Sequence, residues 1–180
     1  EHFNVERLVK QGVFIFDEID GTREFSNGSL DFCFEGAFTQ NGEAIMGIIA
    51  EPQYKRMIVA SKGDGAYIIT KEGRMEVPPL PDIVYEQAIV GDRKDYPGKK
   101  FKEVYKHFGI TDDRVTHIGS FATRMLAVGL GTTHLSLGYT QSLSEWDYAG
   151  GVPILKEWGI HISDLEGNEL VFNQEVPKSH

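Results

Sequence analysis

The feature that most constrains the fold is an apolar segment that runs directly into a turn rich in carboxylates. Residues 12–16 are Gly-Val-Phe-Ile-Phe, and four apolar side chains, two of them β-branched, predict a buried strand. The next residues, Asp17-Glu18-Ile19-Asp20-Gly21-Thr22, place three carboxylates within four positions. Because open α/β sheets bind ligands at the carboxyl ends of their strands, this turn is the first candidate site.

The carboxylates of this turn indicate a cation. Like charges this close destabilise one another unless a cation or solvent compensates them, and Mg²⁺ takes oxygen ligands while keeping positions for water and phosphate. Gly21 lets the backbone approach a ligand, and the Thr22 hydroxyl is expected to cap a short helix over residues 23–26, whose free amides attract phosphate. A solvated acidic turn is the alternative that these residues alone leave open.

Two distant motifs together resemble a known family. The turn is similar to the D-P-[IL]-D-G-T motif of the inositol monophosphatase-like family of Mg²⁺-dependent phosphatases, with Glu18 in place of Pro. Residues 146–151, Trp-Asp-Tyr-Ala-Gly-Gly, resemble the family's W-D-x-A-x-G motif, and residues 164–167 its D-x-x-G ending. The resemblance covers about two thirds of a complete member. A fragment is therefore expected, because the family's upstream third supplies another metal-binding Glu.

The fold implied by the resemblance is a layered α-β-α-β-α sandwich of the sugar-phosphatase type. The pattern itself predicts an antiparallel meander over residues 13–77, with a hairpin turn at Asn41-Gly42, followed by an α/β half. The prolines at 78, 79 and 81 mark the expected boundary between domains 1–80 and 81–180. In the second half, strands are predicted at 87–90, 115–118, 134–137 and 161–163, and helices at 99–108, 121–130 and 147–158.

The resemblance also implies the roles of the site residues. The metal ligands would be Asp17, the carbonyl of Ile19, Asp20 and Asp147. Thr22 would help to orient the attacking water, and the amides of Gly21 and Thr22 would receive the phosphate. By itself, Asp147 is typical of a residue in the first turn of a helix, either as an N-cap or as a cation ligand reaching Asp17 and Asp20.

The implied reaction is Mg²⁺-dependent hydrolysis of a small phosphomonoester. Residues 22–25, Thr-Arg-Glu-Phe, resemble the version of the motif in 3′(2′),5′-bisphosphate nucleotidases, and inositol monophosphate is the other candidate substrate. Arg23 either offers a second phosphate a planar fork or is solvated. The alternative function is a catalytically incomplete fragment that binds phosphate or a partner. Positions at which family members contact the alcohol are Asp92, Arg93, Gly119 and Ser120, and Phe121 would stack on a base or pack.

Composition excludes other classes of function. The net charge of −9 argues against binding to a nucleic-acid polymer, and no run approaches the roughly 20 apolar residues of a membrane span. The single cysteine, Cys33, alternates with large apolar residues and is expected to be a buried structural thiol in a reducing compartment. Glu18 is expected to point to solvent. A cytoplasmic homodimer is the remaining expectation, since dimers are usual in the family.

Overall fold

The computed structural model describes residues 5–77, 80, 82–93, 99–138, 143–175 and 177. Within these residues the helices are α1 (Thr22–Ser26), α2 (Lys99–His107), α3 (Phe121–Gly129) and α4 (Gly151–Glu157). The strands are β1 (Gly12–Asp20), β2 (Cys33–Gln40), β3 (Glu43–Glu51), β4 (Arg56–Ser61), β5 (Gly65–Thr70), β6 (Gly73–Glu76), β7 (Val90–Asp92), β8 (Val115–His117) and β9 (Leu135–Ser136).

The first half is an antiparallel meander. Strands β1 to β6 form one sheet in sequence order, each pairing with the next. Asn41 and Gly42 both have positive φ, 51° and 81°, which is the backbone of the two-residue turn that matches the twist of a hairpin. The predicted meander and its hairpin are confirmed.

One face of this sheet, the covered face, carries the core. Its alternate side chains include Cys33, Ile49 and Ile58, all of which are buried, and they pack against Leu126 of α3 and Ile154 of α4. Helix α4 lies across β3, β4 and β5. The covered face therefore joins the meander to helices that begin 45 or more residues after its last strand ends.

The opposite face, called the aromatic face below, consists of Phe14, Phe16, Phe34, Phe38 and Met46. The rings of Phe14 and Phe16 stack with centroids 5.8 Å apart, and Phe38 and Phe34 extend the row. Phe14 is 65% exposed, and Phe16 and Met46 are each 50% exposed. No described helix covers these side chains.

The second half contains a parallel three-stranded sheet in the order β8-β7-β9. The predicted α/β half is confirmed. Strands β8 and β9 are shorter than predicted, and the strand predicted at 87–90 lies instead at Val90–Asp92, after a 3₁₀ turn at Tyr85–Gln87. Ile89 donates its backbone N–H to Nδ1 of His134, not to a strand carbonyl, so β7 begins at Val90. The three prolines of the expected domain boundary lie outside the described residues, and the boundary stays a prediction.

Near the end of the chain, one predicted strand is absent and one predicted helix begins later than expected. Residues 161–163 form no strand, because Ile160 and Ile162 pack into the core without pairing to a neighbouring strand. The helix predicted over 147–158 begins only at Gly151 and follows a separate 3₁₀ turn, Glu145–Asp147. Pro153 thus lies in the first turn of α4, where its missing N–H has no helical partner to lose.

Candidate metal and phosphate site

The end of β1 turns two carboxylates to the same side of the sheet. Asp17 pairs with Glu35 of β2, whereas Asp20 pairs with Cys33, so three steps along β1 match two along β2. Such a bulge contains one extra residue and re-aims the side chains that follow it. Since Glu35 and Cys33 share the covered face, Asp17 and Asp20 do so as well. Glu18, in contrast, is exposed, as predicted.

Asp20 is fixed by the N-terminus of α3. Its Oδ2 accepts hydrogen bonds from Oγ of Ser120 at 2.5 Å and from the backbone N–H of Ala122 at 2.8 Å. Ser120 is the N-cap of this helix, and its Oγ also accepts from the N–H of Thr123. A carboxylate at a helix N-terminus is stabilised by the free amides and by the helix dipole.

The turn after Asp20 depends on Gly21. This residue has φ +86°, and a Cβ added there would lie 2.6 Å from the carbonyl oxygen of Asp31, so a larger side chain would not fit. The expected cap is wrong, because Thr22 lies within α1 and donates its hydroxyl back to the carbonyl of Ile19 at 2.9 Å. A helix that starts at Thr22 leaves the N-cap position to Gly21.

Asp147 reaches the site from a 3₁₀ turn, not from the first turn of an α-helix. Its Oδ2 accepts from the backbone N–H of Ser144 at 2.5 Å, and the Ser144 side chain in turn accepts from the Asp147 N–H. This reciprocal pair is a capping box, which fixes the direction of the Asp147 carboxylate. Trp146 beside it is half-buried.

The three aspartates converge. Asp17, Asp20 and Asp147 each offer a carboxylate oxygen, and these oxygens lie within 4.8 Å of one another. In each residue, one oxygen accepts a hydrogen bond from the protein; for Asp17 the donor is the N–H of Ile19 at 2.9 Å. A group of three carboxylates from segments 127 residues apart can coordinate one cation.

The electrostatics of the cluster fit a divalent cation. The pKa of Asp147 is raised to about 7, chiefly by burial and also by the charges of Asp20 and Asp17, while the hydrogen bond from Ser144 acts in the opposite direction. Burial also raises the pKa of Asp20 and of Asp17. Desolvation is the largest cause of all three pKa shifts, neighbouring negative charges add to it, and a bound cation would offset both effects.

A cleft of about 300 Å³ opens beside the cluster. Asp92 lies in its wall, where Oδ1 accepts from the N–H of Arg93 at 2.6 Å and is 3.9 Å from Nη1 of Arg124. The lining brings together most of the residues predicted from the sequence: Asp20, Gly21, Thr22, Arg23, Asp92, Arg93, Gly119, Ser120 and Asp147. Phe121 also lines the cleft, with its ring 4.9 Å from the Arg124 guanidinium.

Two predicted contacts have other partners. Ser120 is only 2% exposed, and its hydroxyl is engaged by Asp20 and Thr123, so it holds a carboxylate in place. Ile19 is not part of the cleft lining, and its carbonyl accepts from Thr22. Cys33 is buried, and its Sγ lies 3.9 Å from Oγ of Ser120. Burial raises the pKa of the thiol, which fits the structural role expected for Cys33.

Comparison with known proteins identifies the family. The model of the inositol monophosphatase family matches residues 4–178 of this chain. The chain belongs to this family.

Individual relatives agree. Fructose-1,6-bisphosphatase/inositol-1-monophosphatase of Thermotoga maritima is 29% identical over 170 residues, which cover 90% of this chain and 63% of that protein. Inositol monophosphatase II from Staphylococcus aureus MSSA476 superposes with a TM-score of 0.80 at 26% identity, over 94% of this chain and 64% of the other. The structure of SaIMPase-II with 2′AMP bound superposes with a TM-score of 0.78 at 26% identity, over 91% of this chain and 61% of the other. The chain spans less than two thirds of each.

In this member of the inositol monophosphatase family, two buried charged residues near the site are missing from the sequence-based prediction. Arg124 is 5% exposed and lines the cleft; burial lowers its pKa, and the charges of Asp92 and Asp20 act in the opposite direction. Glu35 is fully buried beneath the cluster. Arg124 interrupts the apolar pattern of α3, and Glu35 interrupts the apolar covered face of β2. These interruptions are the signals in the sequence that could have pointed to the two residues.

Proposed function

We propose that this chain carries the metal and phosphate site of a Mg²⁺-dependent phosphatase that hydrolyses a small phosphomonoester. The observation that carries the proposal is the convergence of Asp17, Asp20 and Asp147 within 4.8 Å, beside a cleft with arginine side chains in its wall. Membership of the inositol monophosphatase family supports it.

The proposed roles divide between cation and phosphate. Asp17, Asp20 and Asp147 would hold Mg²⁺ together with the carbonyl of Ile19. Burial raises the pKa of each aspartate, and a bound cation would favour the ionised forms. When bound, Mg²⁺ lowers the pKa of a coordinated water and neutralises charge on the phosphate. Thr22 would orient the water, since its hydroxyl is already fixed against Ile19.

The substrate side of the proposal rests on the cleft. The amides of Gly21 and Thr22 would receive the phosphate, and the wall that contains Arg23, Asp92 and Arg93 would contact the remainder of the substrate. A relative of this chain binds 2′AMP, and another is named as an inositol monophosphatase. We therefore propose a 3′(2′),5′-bisphosphate nucleotide or an inositol monophosphate as substrate.

We also propose a second candidate, in which residues 1–180, which span 63% of the Thermotoga relative, bind phosphate or a partner without turnover. The two candidates share the cation site and differ in whether phosphate is released.

The test is release of inorganic phosphate with and without Mg²⁺. The panel contains adenosine 3′,5′-bisphosphate, inositol 1-phosphate and histidinol phosphate, and Asp17→Asn is the control. Mg²⁺-dependent release that is lost in the variant is the expected result, and the preferred compound then identifies the substrate. Binding of phosphate without release from any compound would establish the second candidate instead.

Location and assembly stay predictions. Among the described residues, no helix combines the length and apolar character needed to cross a bilayer. The cytoplasmic location and the homodimer are proposals that fractionation and sedimentation velocity can test.

A further inference from the structure

Glu35 lies at the junction between the two segments that supply the carboxylates. It is the third residue of β2, on the covered face, directly opposite Asp17 of β1. Its relative exposure is 0%, in a position where the preceding and following residues of the same face, Cys33 and Ala37, are apolar. Burying a carboxyl group costs free energy unless its oxygens accept hydrogen bonds, so donors are expected beside Glu35.

The partners of Glu35 belong to the segment that carries Asp147. Its Oε1 accepts from the backbone N–H of Gly150 at 2.7 Å and of Gly151 at 2.9 Å. These amides come three and four residues after Asp147, at the start of α4. One side chain of the sheet therefore satisfies two amides that the start of a helix leaves without backbone partners.

The contact requires a very close approach of two backbones. A Cβ at Gly150 would lie 2.6 Å from the carbonyl oxygen of Gly36 and 2.7 Å from that of Ile48. A Cβ at Gly47 would lie 2.1 Å from the carbonyl oxygen of Gly150. Glycine at these positions lets the Asp147 segment rest directly on the sheet, within reach of Glu35.

We propose that Glu35 is a positioning residue that sets the separation between Asp147 and the carboxylates at the end of β1. The ladder between β1 and β2 fixes Glu35 relative to Asp17, and the two hydrogen bonds of Oε1 fix the Asp147 segment relative to Glu35. Glu35 touches neither substrate nor reacting atoms in this role. The inference rests on the proposed function, because it assumes that the three aspartates bind a cation.

The test measures binding of Mn²⁺ alone, from the electron paramagnetic resonance of the free ion, so no turnover is needed. Glu35→Gln keeps an acceptor oxygen for both amides and is expected to bind Mn²⁺ about as well as wild type. Glu35→Asp is shorter by one methylene and cannot reach both amides from the same backbone. Its affinity is expected to fall by about tenfold or more, as is typical when support around a metal ligand is lost.

A matched control is available at Glu157. Its carboxylate also accepts from two backbone amides, those of Gly63 at 2.8 Å and Gly65 at 2.9 Å, but it joins α4 to the turn between β4 and β5. Glu157→Asp should leave Mn²⁺ affinity unchanged even if it lowers the melting temperature. Hydrogen exchange of the Gly150 and Gly151 amides should become faster in Glu35→Asp and not in the control.

The outcomes separate this inference from the proposed function. If wild type binds Mn²⁺ and Glu35→Asp binds it equally well, the positioning role is wrong and the proposed function is untouched. Equal losses of affinity in Glu35→Asp and Glu157→Asp would also overturn the positioning role, since they would reflect general destabilisation. If wild type binds no Mn²⁺, both proposals fall. If Glu35→Asp does not fold, the test uses Glu35→Gln instead. Weaker Mn²⁺ binding by folded Glu35→Gln would then contradict the role of the side-chain acceptor oxygen at residue 35.

Discussion

The two sides of the carboxylate cluster are supported in different ways. Asp17 and Asp20 belong to a nine-residue strand that pairs along its length with β2, and Asp20 is also anchored by the N-terminus of α3. Asp147 belongs to a three-residue 3₁₀ turn held by Ser144 and, through the amides of Gly150 and Gly151, by Glu35. The strand side is thus held by a strand ladder and by α3, whereas the turn side combines the polar contacts of Ser144 and Glu35 with the core packing of Tyr148 and Ala149.

Because of this difference, substitutions on the two sides should change stability and cation affinity to different extents. A change on the strand side disturbs a carboxylate and the packing of α3 together. A change on the turn side can move Asp147 while leaving the sheet intact. The following substitutions and conditions test this distinction.

The largest effect is expected for Asp20→Asn. The substitution removes a charged ligand whose other oxygen is held by Ser120 and Ala122, so Mn²⁺ affinity should fall by at least about 100-fold. Phosphate release, where wild type shows it, should be lost as well. Glu18→Gln is the matched control, because Glu18 is an exposed carboxylate of the same turn. Equal losses in both variants would mean that the overall charge of the turn, and not Asp20, attracts the cation.

Ser120→Ala should lower both cation affinity and stability. The variant removes the N-cap of α3 and the 2.5 Å hydrogen bond to Asp20, so the free energy of unfolding should decrease by about 1–2 kcal/mol. Urea unfolding and Mn²⁺ titration measure the two effects. A loss of stability without any loss of affinity would show that Asp20 keeps its position without Ser120.

The pH dependence of the cation-free protein follows from Asp147. Its folded-state pKa of about 7 lies above the ordinary value of 3.8, so between these pH values the folded state binds more protons than the unfolded state. Stability is therefore highest at the acidic end of this window and is lost as the pH rises through about 7.

Urea unfolding with and without Mg²⁺ checks this prediction. Without the cation, the free energy of unfolding should be lower above about pH 7 than near pH 5, by on the order of 1–2 kcal/mol. Saturating Mg²⁺ should remove the difference, because it stabilises the ionised cluster. A cation-free protein whose stability rises across this window would contradict the shift assigned to Asp147.

The smallest effect is expected for Ser144→Ala. The variant removes half of the capping box, while the N–H of residue 144 that binds Asp147 remains. Mn²⁺ affinity should fall by a few-fold, with a change in unfolding free energy below that of Ser120→Ala. If Ser144→Ala were the more destabilising of the two, the turn side would be as deeply embedded as the strand side.

The sequence was sufficient where local chemistry decides the structure. The apolar run before Asp17 and the Asn41-Gly42 turn predict strand and hairpin without reference to the remainder of the chain. The fold class was implied by the family resemblance that the two motifs carry. The segment around Asp147 was mispredicted because its helical pattern is continuous. The position of Pro153 favours a start at Gly151, but Tyr148 and Ala149 also pack into the core and extend the apolar pattern.

The missing parts of the site depend on contacts between distant segments. Glu35 meets its partners 115 and 116 residues later, so no local pattern reveals why a carboxyl group lies on the covered face. The family resemblance predicts a substrate contact for Ser120, yet its hydroxyl donates a hydrogen bond to Asp20. Local sequence indicates which residues gather near a cleft, whereas their hydrogen-bond partners depend on packing across the whole fold.

The aromatic face has a practical consequence for all of these measurements. Its phenyl rings offer hydrophobic fluorescent dyes an adsorption surface on the native protein, so dye-based thermal scans would start from a bright baseline and understate the transition. Emission from the chain's two tryptophans avoids this difficulty. Because one of them, Trp146, adjoins Asp147, the same signal can also report the arrival of a cation.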